Sequence, residues 1–360
     1  MDLRMLTGDR ATHAGVLLSV LWLAGIAVID LLLPSSVVPD TLFAIAPLIG
    51  CAVLSPRTTA WFGVAAVVLV VASGWWNNNW DTGQQWIRLL DVVLVSAAAV
   101  LIAAVRVERE QRTARLVAIA ETAQRVILPN MPASINGLNT ATRYLSAVED
   151  AVVGGDLFDW SLTRDHTRFL VGDVRGKGLP AVEQAARTIR AFRQSAAAEE
   201  DLGDAAREID AYLLPFLHDD EFVTALLVDT TSPDTVIVLS CGHPPPLLVR
   251  RDGSARFLEP PPGLPLGLSA LGPGRAGEER TGEPFRWEPG DRLLLYTDGL
   301  SEARDSNRTF LPLLDLAPVL LIGSVEDALD DLLVRVRRHV PDGALGDDLA
   351  VVLLERPIAG

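Results

Sequence analysis

The sequence predicts an α+β protein, in which an all-α membrane region of four helices is followed by a linker helix and a domain of two sheets between helical layers. Three observations support this prediction. The first hundred residues are mostly apolar, the next segment is charged and then amphipathic, and the remainder alternates apolar strands with amphipathic helices. A chain of 360 residues is long enough for about two domains. We place the predicted boundaries at 1–105, 106–130 and 131–360.

The first region contains four apolar segments of roughly the length that a helix needs to cross a bilayer. They are Ala14–Leu33, Val37–Leu54, Thr59–Trp76 and Trp86–Val105. A cleaved signal peptide would account for only the first of them, and four buried core helices in succession are hard to place in a small soluble domain. The segments therefore predict a multi-pass anchor in contact with membrane lipid.

Basic residues in the loops predict the orientation of this anchor. Arg4 and Arg10 precede the first segment, Arg57 lies between the second and third, and four arginines follow the fourth, whereas the other two loops contain no Lys or Arg. Because positive residues are enriched on the cytoplasmic side, both termini are predicted to be cytoplasmic. Arg88 and Asp91 are three residues apart on the fourth segment, and both ligand sensing and a structural ion pair are compatible with that spacing.

The segment Val105–Leu128 predicts a helix that continues beyond the membrane. Its first half is charged, and its second half has apolar residues at a spacing of three and four, namely Leu116, Ile119, Ala120, Ala123, Val126 and Ile127. Such a stripe buries one face of a helix. Two interpretations stay open, which are packing on the chain's own C-terminal domain and a parallel homodimer through the linker helix.

Charge is distributed unevenly along the chain. The net charge is −15, and residues 1–130 contain nine Arg and nine acidic residues, so residues 131–360 carry 22 basic against 37 acidic side chains. An acidic soluble part argues against nucleic acid as a partner. The hydrophobic fraction of 49% and the mean hydropathy of +0.28 are high for a soluble protein. Cys51 and Cys241 are too far apart in sequence to indicate a disulfide framework or a zinc site.

Two glycine-flanked aspartates lie at the open end of a predicted hairpin. Asp156 opens one apolar strand and Asp173 closes the next, with the turn Arg164-Asp165-His166 between them. In an antiparallel pair these two positions are neighbours. Adjacent carboxylates repel each other unless a cation lies between them. The alternative is a pair of solvated turn aspartates.

Two further acidic turns adjoin apolar strands. Asp298 follows Leu293–Tyr296, and Asp347 and Asp348 precede Leu349–Leu354. Four such turns can converge on one end of a sandwich, and all-oxygen ligation suits hard cations such as Mg²⁺ or Mn²⁺.

These segments, in this order, resemble the SpoIIE-type bacterial branch of the metal-dependent (type 2C) protein serine/threonine phosphatases. The resemblance covers about Gln124 to Glu355. It rests on Leu128-Pro129, Ala141-Thr142-Arg143-Tyr144, Gly154-Gly155-Asp156-Leu157-Phe158-Asp159, Gly172-Asp173-Val174-Arg175-Gly176-Lys177-Gly178, Phe222-Val223-Thr224-Ala225, Cys241-Gly242-His243-Pro244-Pro245-Pro246, Gly263-Leu264-Pro265-Leu266-Gly267, Tyr296-Thr297-Asp298-Gly299-Leu300-Ser301-Glu302 and Asp347-Asp348-Leu349-Ala350.

The resemblance implies an α-β-β-α sandwich and two divalent ions, Mn²⁺ or Mg²⁺. It implies that the catalytic carboxylates and metal ligands are Asp156, Asp173, Asp298 and Asp347, with the carbonyl of Val174 as a further ligand. Hydrolysis would use a metal-activated water and no phosphoenzyme. Asp159 and Asp348 would support the ligands, and Arg175, Lys177 and Arg143 are phosphate contacts by position only. No His follows Asp156 closely, so the proton donor is unassigned, and His243 is interpreted as structural.

The function that the resemblance implies is that of a membrane-anchored phosphoprotein phosphatase of the bacterial inner membrane. Its usual substrate in this branch is a phosphorylated anti-sigma-factor antagonist, a small STAS domain, in a partner-switching pathway. One alternative is a membrane receptor with a non-catalytic phosphatase-like domain that only binds partners. Loss of an acidic ligand would indicate such a domain, and all four are present here. A small-molecule phosphatase is the other alternative.

Overall fold

The computed structural model describes residues 3–33, 39–146, 154–218, 220–268, 280–343 and 345–358. The chain forms two compact units, Met1–Arg115 and Leu116–Gly360. A single helix, α4, contributes residues to both, since it runs from Gly83 to Ile127. The predicted continuation of the fourth apolar segment into a linker helix is therefore present.

Unit 1 is helical in its described residues. It contains α1 (Leu3–Leu32), a 3₁₀ turn (Asp40–Ala44), α2 (Ile45–Val53), α3 (Pro56–Trp76) and the first part of α4. Within the described residues, α1, α3 and α4 are long and apolar enough to cross a membrane.

The second predicted membrane segment is shorter than expected, so the count of four crossings is not confirmed. The 3₁₀ turn and α2 together cover only Asp40–Val53. The chain then starts a new helix, because Ser55 accepts a hydrogen bond from the backbone N–H of Thr58 and Pro56 occupies the first helical position of α3.

Unit 2 contains two antiparallel sheets. The first has, in spatial order, β1 (Ser134–Ile135), β2 (Leu138–Leu145), β11 (Leu349–Glu355), β10 (Arg292–Tyr296), β7 (Leu247–Val249) and β8 (Ala255–Phe257). The second has β3 (Leu157–Leu162), β4 (Thr167–Val174), β5 (Val223–Asp229), β6 (Thr235–Cys241) and β9 (Glu283–Arg286).

Helices cover the outer face of each sheet. The second sheet packs against α5 (Leu179–Ala198) and α6 (Leu202–Leu213). The first packs against α8 (Ala317–Leu320) and α9 (Val325–His339), and the short helix α7 (Asp298–Ser301) follows β10. Apolar side chains from both sheets fill the space between them, among them Phe169, Val228, Leu295 and Val352. The predicted α-β-β-α sandwich is confirmed.

The apolar stripe of the linker helix is divided between two environments. Ala120 packs against Val182 of α5, with Ala123 and Ile127 beside them. Leu116 and Ile119 stay exposed, at 54% and 55%, and the side chain of Val126 lies outside the described set. Packing on the chain's own domain thus accounts for the last part of the stripe. The segment Leu268–Glu283 is rich in Gly and charge, which predicts an irregular excursion, and residues 269–279 of it also lie outside the described residues.

Candidate metal centre

Three aspartates from three different elements meet at one end of the sandwich. Asp156, Asp173 and Asp298 each offer a carboxylate oxygen, and these oxygens all lie within 4.8 Å of one another. Asp156 precedes β3 and Asp173 lies near the end of β4, where the register pairs Leu157 with Gly172. Asp298 comes from the other sheet, at the first position of α7 directly after β10. The cluster therefore lies between the ends of the two sheets.

Close backbone packing positions the start of β3. Gly155 accepts a hydrogen bond at its carbonyl from the Val174 backbone N–H at 3.2 Å. A Cβ on Gly155 would collide with the backbone of Val174, so no larger residue fits there without a shift. The absence of a side chain at Gly155 brings the main chain of Asp156 against the end of β4.

The Asp156 carboxylate is buried and is oriented by a hydroxyl group. It is 2% exposed, and the Thr297 hydroxyl donates to its Oδ2 at 2.7 Å. The same hydroxyl accepts from the backbone N–H of Ala350 at 2.9 Å. Thr297 thus connects Asp156 of one sheet with β10 and β11 of the other. Sequence reasoning assigned no role to Thr297, although it directly precedes Asp298.

The pKa values of the three carboxylates are all raised. Burial is the largest cause for each. For Asp156 the next cause is the charge of Asp173, and for Asp298 it is the charge of Asp347. Burial, together with the charges of Asp298 and Asp347, raises the pKa of Asp173 to about 7. Such a cluster is stabilised by a cation that neutralises the mutual repulsion.

Asp347 and Asp348 follow different paths. Asp348 is buried near the end of β2. Its carboxylate accepts hydrogen bonds from the Tyr144 hydroxyl at 2.5 Å, the Gly154 backbone N–H at 2.7 Å and the Ser146 hydroxyl at 3.2 Å. Asp347 is half-exposed and pairs with Lys177, whose Nζ lies 3.2 Å from its Oδ1. Asp347 lies near enough to raise the pKa of Asp173, but it does not belong to the cluster of three.

The other predicted contacts have partners of their own. Asp159 is 1% exposed and forms an ion pair with Arg193, with Nε at 2.6 Å from Oδ2. Arg175 donates to the Asp220 carbonyl at 2.9 Å and lies over the Phe222 ring. Arg143 pairs with Asp330 of α9 at 2.7 Å. Of the basic candidates, the structure places Lys177 beside a predicted ligand, Asp347.

His243 joins the two strands that lead to the cluster. Its Nε2 donates to the Tyr296 carbonyl at 2.9 Å, one residue before Thr297, and its Nδ1 accepts from the Thr224 hydroxyl at 3.0 Å. Thr224 is the partner of Asp173 in the β4–β5 register. Burial lowers the pKa of His243 to about 4, which keeps the ring neutral and holds the tautomer that makes both hydrogen bonds.

The linker helix also reaches this end of the domain. The buried Gln124 side chain donates from Nε2 to the carbonyls of Gly154 at 3.3 Å and Asp156 at 3.5 Å. The last turn of α4 therefore contacts the backbone that carries a cluster aspartate. In the sequence, Gln124 marks only the start of the family resemblance, because a polar residue on an apolar helix has no local signal for such a contact.

The sequence profile of the family described as Stage II sporulation protein E (SpoIIE) matches residues 163–357. This range is more than half of the 360-residue chain. The chain belongs to the SpoIIE family. It carries a SpoIIE-type protein serine/threonine phosphatase domain.

Solved structures agree with this membership. The RsbU and RsbW domains of a Mycobacterium tuberculosis protein are 28% identical, with a TM-score of 0.52, over 62% of this chain and 61% of that one. The present chain thus spans less than two thirds of that protein's length. The SiaA-PP2C domain of Pseudomonas aeruginosa is 17% identical, with a TM-score of 0.54, over 70% of this chain and 98% of that one.

A third similar structure is the PP2C phosphatase domain of SpoIIE from Bacillus subtilis, solved with a fragment of its regulatory domain. It is 19% identical, with a TM-score of 0.50, over 63% of this chain and 66% of that one. At these identities the Pseudomonas and Bacillus structures establish the shared fold.

The residues present at the SpoIIE-type site fit divalent metal ions. Carboxylates are hard oxygen donors, which Mg²⁺ and Mn²⁺ prefer. Three of them converge here, one fully buried and held by the Thr297 hydroxyl. Burial and, after it, the charges of neighbouring carboxylates raise their pKa values, and bound cations would offset both effects. The site is therefore one for divalent metal ions, Mn²⁺ or Mg²⁺.

Proposed function

We propose that this chain is a membrane-anchored, Mn²⁺- or Mg²⁺-dependent protein serine/threonine phosphatase. The observation that carries the proposal is the convergence of Asp156, Asp173 and Asp298 at the junction of the two sheets. The family membership of residues 163–357 supports the reaction class.

In this proposal Asp156, Asp173, Asp298 and Asp347 hold two metal ions, and the Val174 carbonyl completes the set. The bound ions would activate a water for attack on phosphorus and neutralise the phosphoryl oxygens. The chain's own residues prepare the site. The Thr297 hydroxyl orients the Asp156 carboxylate, and Asp348 binds the backbone N–H of Gly154, two residues before Asp156. Lys177, which pairs with Asp347, offers a positive charge at the exposed side of the site.

The activity is tested by phosphate release from a phosphoserine peptide, using the full-length protein in lipid nanodiscs with and without Mn²⁺. We expect Asp173→Asn and Asp298→Asn to abolish Mn²⁺-dependent turnover, because each removes a charged ligand from the cluster. Asp315→Asn is the matched control, since Asp315 is an exposed aspartate, and it should leave turnover unchanged. Undiminished turnover in both site variants would refute the assignment.

The alternative is a membrane receptor whose phosphatase-like domain only binds partners. It predicts that the folded wild-type protein binds Mn²⁺ in a saturable way and hydrolyses no phosphopeptide or phosphoprotein. The two functions therefore give opposite results in the same nanodisc preparation.

The substrate we propose is a phosphorylated STAS-domain antagonist of an anti-sigma factor, in a partner-switching pathway. The similarity to a protein with RsbU and RsbW domains supports this class of partner. The test compares kcat/KM for a serine-phosphorylated STAS domain with that for free phosphoserine. A clear preference for the protein is expected, and equal values would favour a small-molecule phosphatase.

We further propose that α1, α3 and α4 anchor the chain in the bacterial inner membrane, with the phosphatase domain in the cytoplasm. Their length and hydropathy support the anchoring. Arg57 at the start of α3 and the four arginines after residue 105 support the cytoplasmic side for the phosphatase domain. Three crossings would place Arg4 and Arg10 on the opposite side, so the predicted cytoplasmic position of both termini requires an even number of crossings. Sealed inverted vesicles should hydrolyse added phosphopeptide, whereas right-side-out vesicles should do so only after permeabilisation. The exposed Leu116 and Ile119 are the part of the linker stripe available for a homodimer.

A further inference from the structure

Unit 2 has a basic cleft between α9 and the loop 303–311, which follows α7. The cleft has a volume of about 400 Å³. Among the described residues no acidic side chain lines it, although residues 131–360 carry 37 acidic against 22 basic side chains. The basic cleft is therefore a local exception in an acidic domain, and it attracts an anionic partner. Its walls are apolar and basic, and they include Phe310, Leu311, Pro312, Arg335, Arg338 and His339.

The two arginines of the basic cleft are available to a partner. Arg335 and Arg338 are exposed residues of α9, and within the described part of the chain neither side chain forms an ion pair or a hydrogen bond. A helix C-terminus favours basic residues, which accounts for Arg338, but Arg335 precedes the last turn of α9. Both guanidinium groups offer N–H donors in a planar arrangement that matches the oxygens of a carboxylate.

An aromatic side chain stays exposed on the opposite wall. Phe310 is 49% exposed, although the Arg304 guanidinium lies over its ring, 4.3 Å from the centroid. Nε2 of His339 donates to the Thr309 carbonyl at 3.1 Å, which fixes the loop to the end of α9. An exposed aromatic ring beside arginines is typical of the residues that contribute most to protein–protein binding.

These two walls favour an acidic protein segment over other anions. A free phosphate would use the arginines alone and leave Phe310 in contact with water. An anionic bilayer presents a flat surface, and the net negative charge of the domain opposes its approach. A peptide segment offers both an apolar side chain for Phe310 and carboxylates for Arg335 and Arg338.

The basic cleft is connected to the metal centre by a short piece of chain. Arg304 lies six residues after Asp298, and six residues span at most about 20 Å. A small protein domain is about 30 Å across. A phosphoprotein bound at Asp298 is therefore large enough to reach the loop 303–311 as well.

We propose that the basic cleft is a docking site for an acidic segment of the phosphoprotein substrate. The segment places an apolar side chain against Phe310 and carboxylates on Arg335 and Arg338. This inference rests on the proposed phosphatase activity for the identification of the partner as the substrate. Docking raises the local concentration of phosphoserine at the metal centre. The cleft therefore lowers KM and leaves kcat unchanged, because it touches no reacting atom.

The docking site is tested without turnover. The probe is a fluorescein-labelled peptide, Asp-Glu-Phe-Glu-Asp, whose fluorescence anisotropy is measured with full-length protein in phosphatidylcholine nanodiscs. EDTA is present so that the peptide cannot bind through metal ions. We expect saturable binding that weakens when the salt concentration is raised from about 0.1 M to about 1 M. The uncharged peptide Asn-Gln-Phe-Gln-Asn should not bind.

Substitutions in α9 locate the binding. Arg335→Gln and Arg338→Gln should each weaken binding of the acidic probe by about tenfold, because each removes a charge-assisted contact. Arg337→Gln is the matched control, since Arg337 is an exposed arginine of the same helix that does not line the cleft, and it should bind the probe like the wild type.

The substrate role is tested with two phosphoserine peptides. Each is joined to the acidic or the uncharged segment by a Gly/Ser linker of about twenty residues, whose root-mean-square length is about 25 Å. With Mn²⁺, the acidic peptide should have a KM about tenfold lower than the uncharged one, at equal kcat. Arg338→Gln should reduce this preference without changing turnover of the uncharged peptide, and Arg337→Gln should retain it.

Absence of charge-dependent binding by monodisperse wild-type protein would overturn the docking site, as would binding that both cleft variants retain. Binding that is abolished in phosphatidylglycerol nanodiscs would assign the cleft to anionic lipid instead and would also overturn it. Equal KM values for the two phosphopeptides would overturn the substrate role. Absence of turnover of both phosphopeptides would refute the proposed phosphatase activity, whereas the anisotropy measurement decides the docking site independently.

Discussion

Thr297 is the residue through which both sheets contribute to the metal centre. Its hydroxyl donates to Asp156 and accepts from the Ala350 backbone, so replacing it leaves a buried carboxylate oxygen and a buried N–H without partners. We expect Thr297→Val to weaken Mn²⁺ binding by about tenfold, as is typical when a group that orients a ligand is removed. Isothermal titration with Mn²⁺ measures the effect, and Thr309→Val, at an exposed position, is the control.

His243 makes stability depend on pH. Its folded pKa of about 4 lies below its ordinary value of 6.5 because the ring is buried, so the unfolded chain binds the proton more readily. Stability is therefore complete above pH 6.5 and falls as the pH drops towards 4, by at most about 1.4 kcal/mol per pH unit from this residue.

We expect His243→Gln to be less stable than the wild type at neutral pH, because two hydrogen bonds that join the strands are perturbed. The difference should shrink between pH 6.5 and 4. Urea denaturation across that range measures it, with His218→Gln at an exposed position as the control. A constant difference across the range would show that burial of His243 is not the source of the pH dependence.

At the scale of elements, the β3–β4 hairpin depends on the missing side chain of Gly155. A Cβ there meets the Val174 backbone, so Gly155→Ala must move the start of β3 away from the end of β4. We expect lower stability and loss of Mn²⁺ binding, because Asp156 and Asp173 are on opposite sides of that contact. In Gly346→Ala the new Cβ meets open space, and this variant should behave like the wild type in thermal unfolding and Mn²⁺ titration.

Elements with strong local signals were predicted closely from the sequence. Apolar alternation and helical periodicity in the sequence predict strands at Leu157–Leu162, Val223–Asp229 and Thr235–Cys241 and a helix at Val325–His339. The structure has these four elements with the same bounds. That helix has a capping box at Ser324 and Asp327, which is a local feature of the sequence. β9 was missed because Glu283–Arg286 is an exposed edge strand with charged residues and a proline, which has no apolar alternation.

The candidate site was predictable only where local pairing determines it. The proximity of Asp156 and Asp173 follows from the hairpin register. Asp298 joins them through packing of one sheet on the other, which no local pattern encodes, and the family resemblance supplied that contact. Arg143 pairs with Asp330 and Lys177 pairs with Asp347, and both pairs connect residues far apart in sequence. Sequence position alone therefore could not show which of the two basic residues lies beside a predicted metal ligand.

At the scale of the whole molecule, the division between the two units falls inside α4. Unit 2 begins at Leu116, whereas the predicted phosphatase domain begins at residue 131 and leaves the linker helix outside. The residues between these positions include Ala120, Gln124, Ile127 and Leu128, and all of them pack on or bond to the domain. The end of the linker helix therefore contributes to the free energy of unfolding of the phosphatase domain.

This boundary can be tested with two fragments, 116–360 and 131–360. Removing residues 116–130 exposes apolar surface on α5 and around Leu128 and removes the Gln124 hydrogen bonds, so we expect the shorter fragment to be less stable by about 3 kcal/mol. Urea denaturation measures the difference. The variant Gln124→Ala in the longer fragment should account for about 1 kcal/mol of it. Equal stability of the two fragments would show that the linker helix is an independent element and would favour the predicted boundary at residue 131.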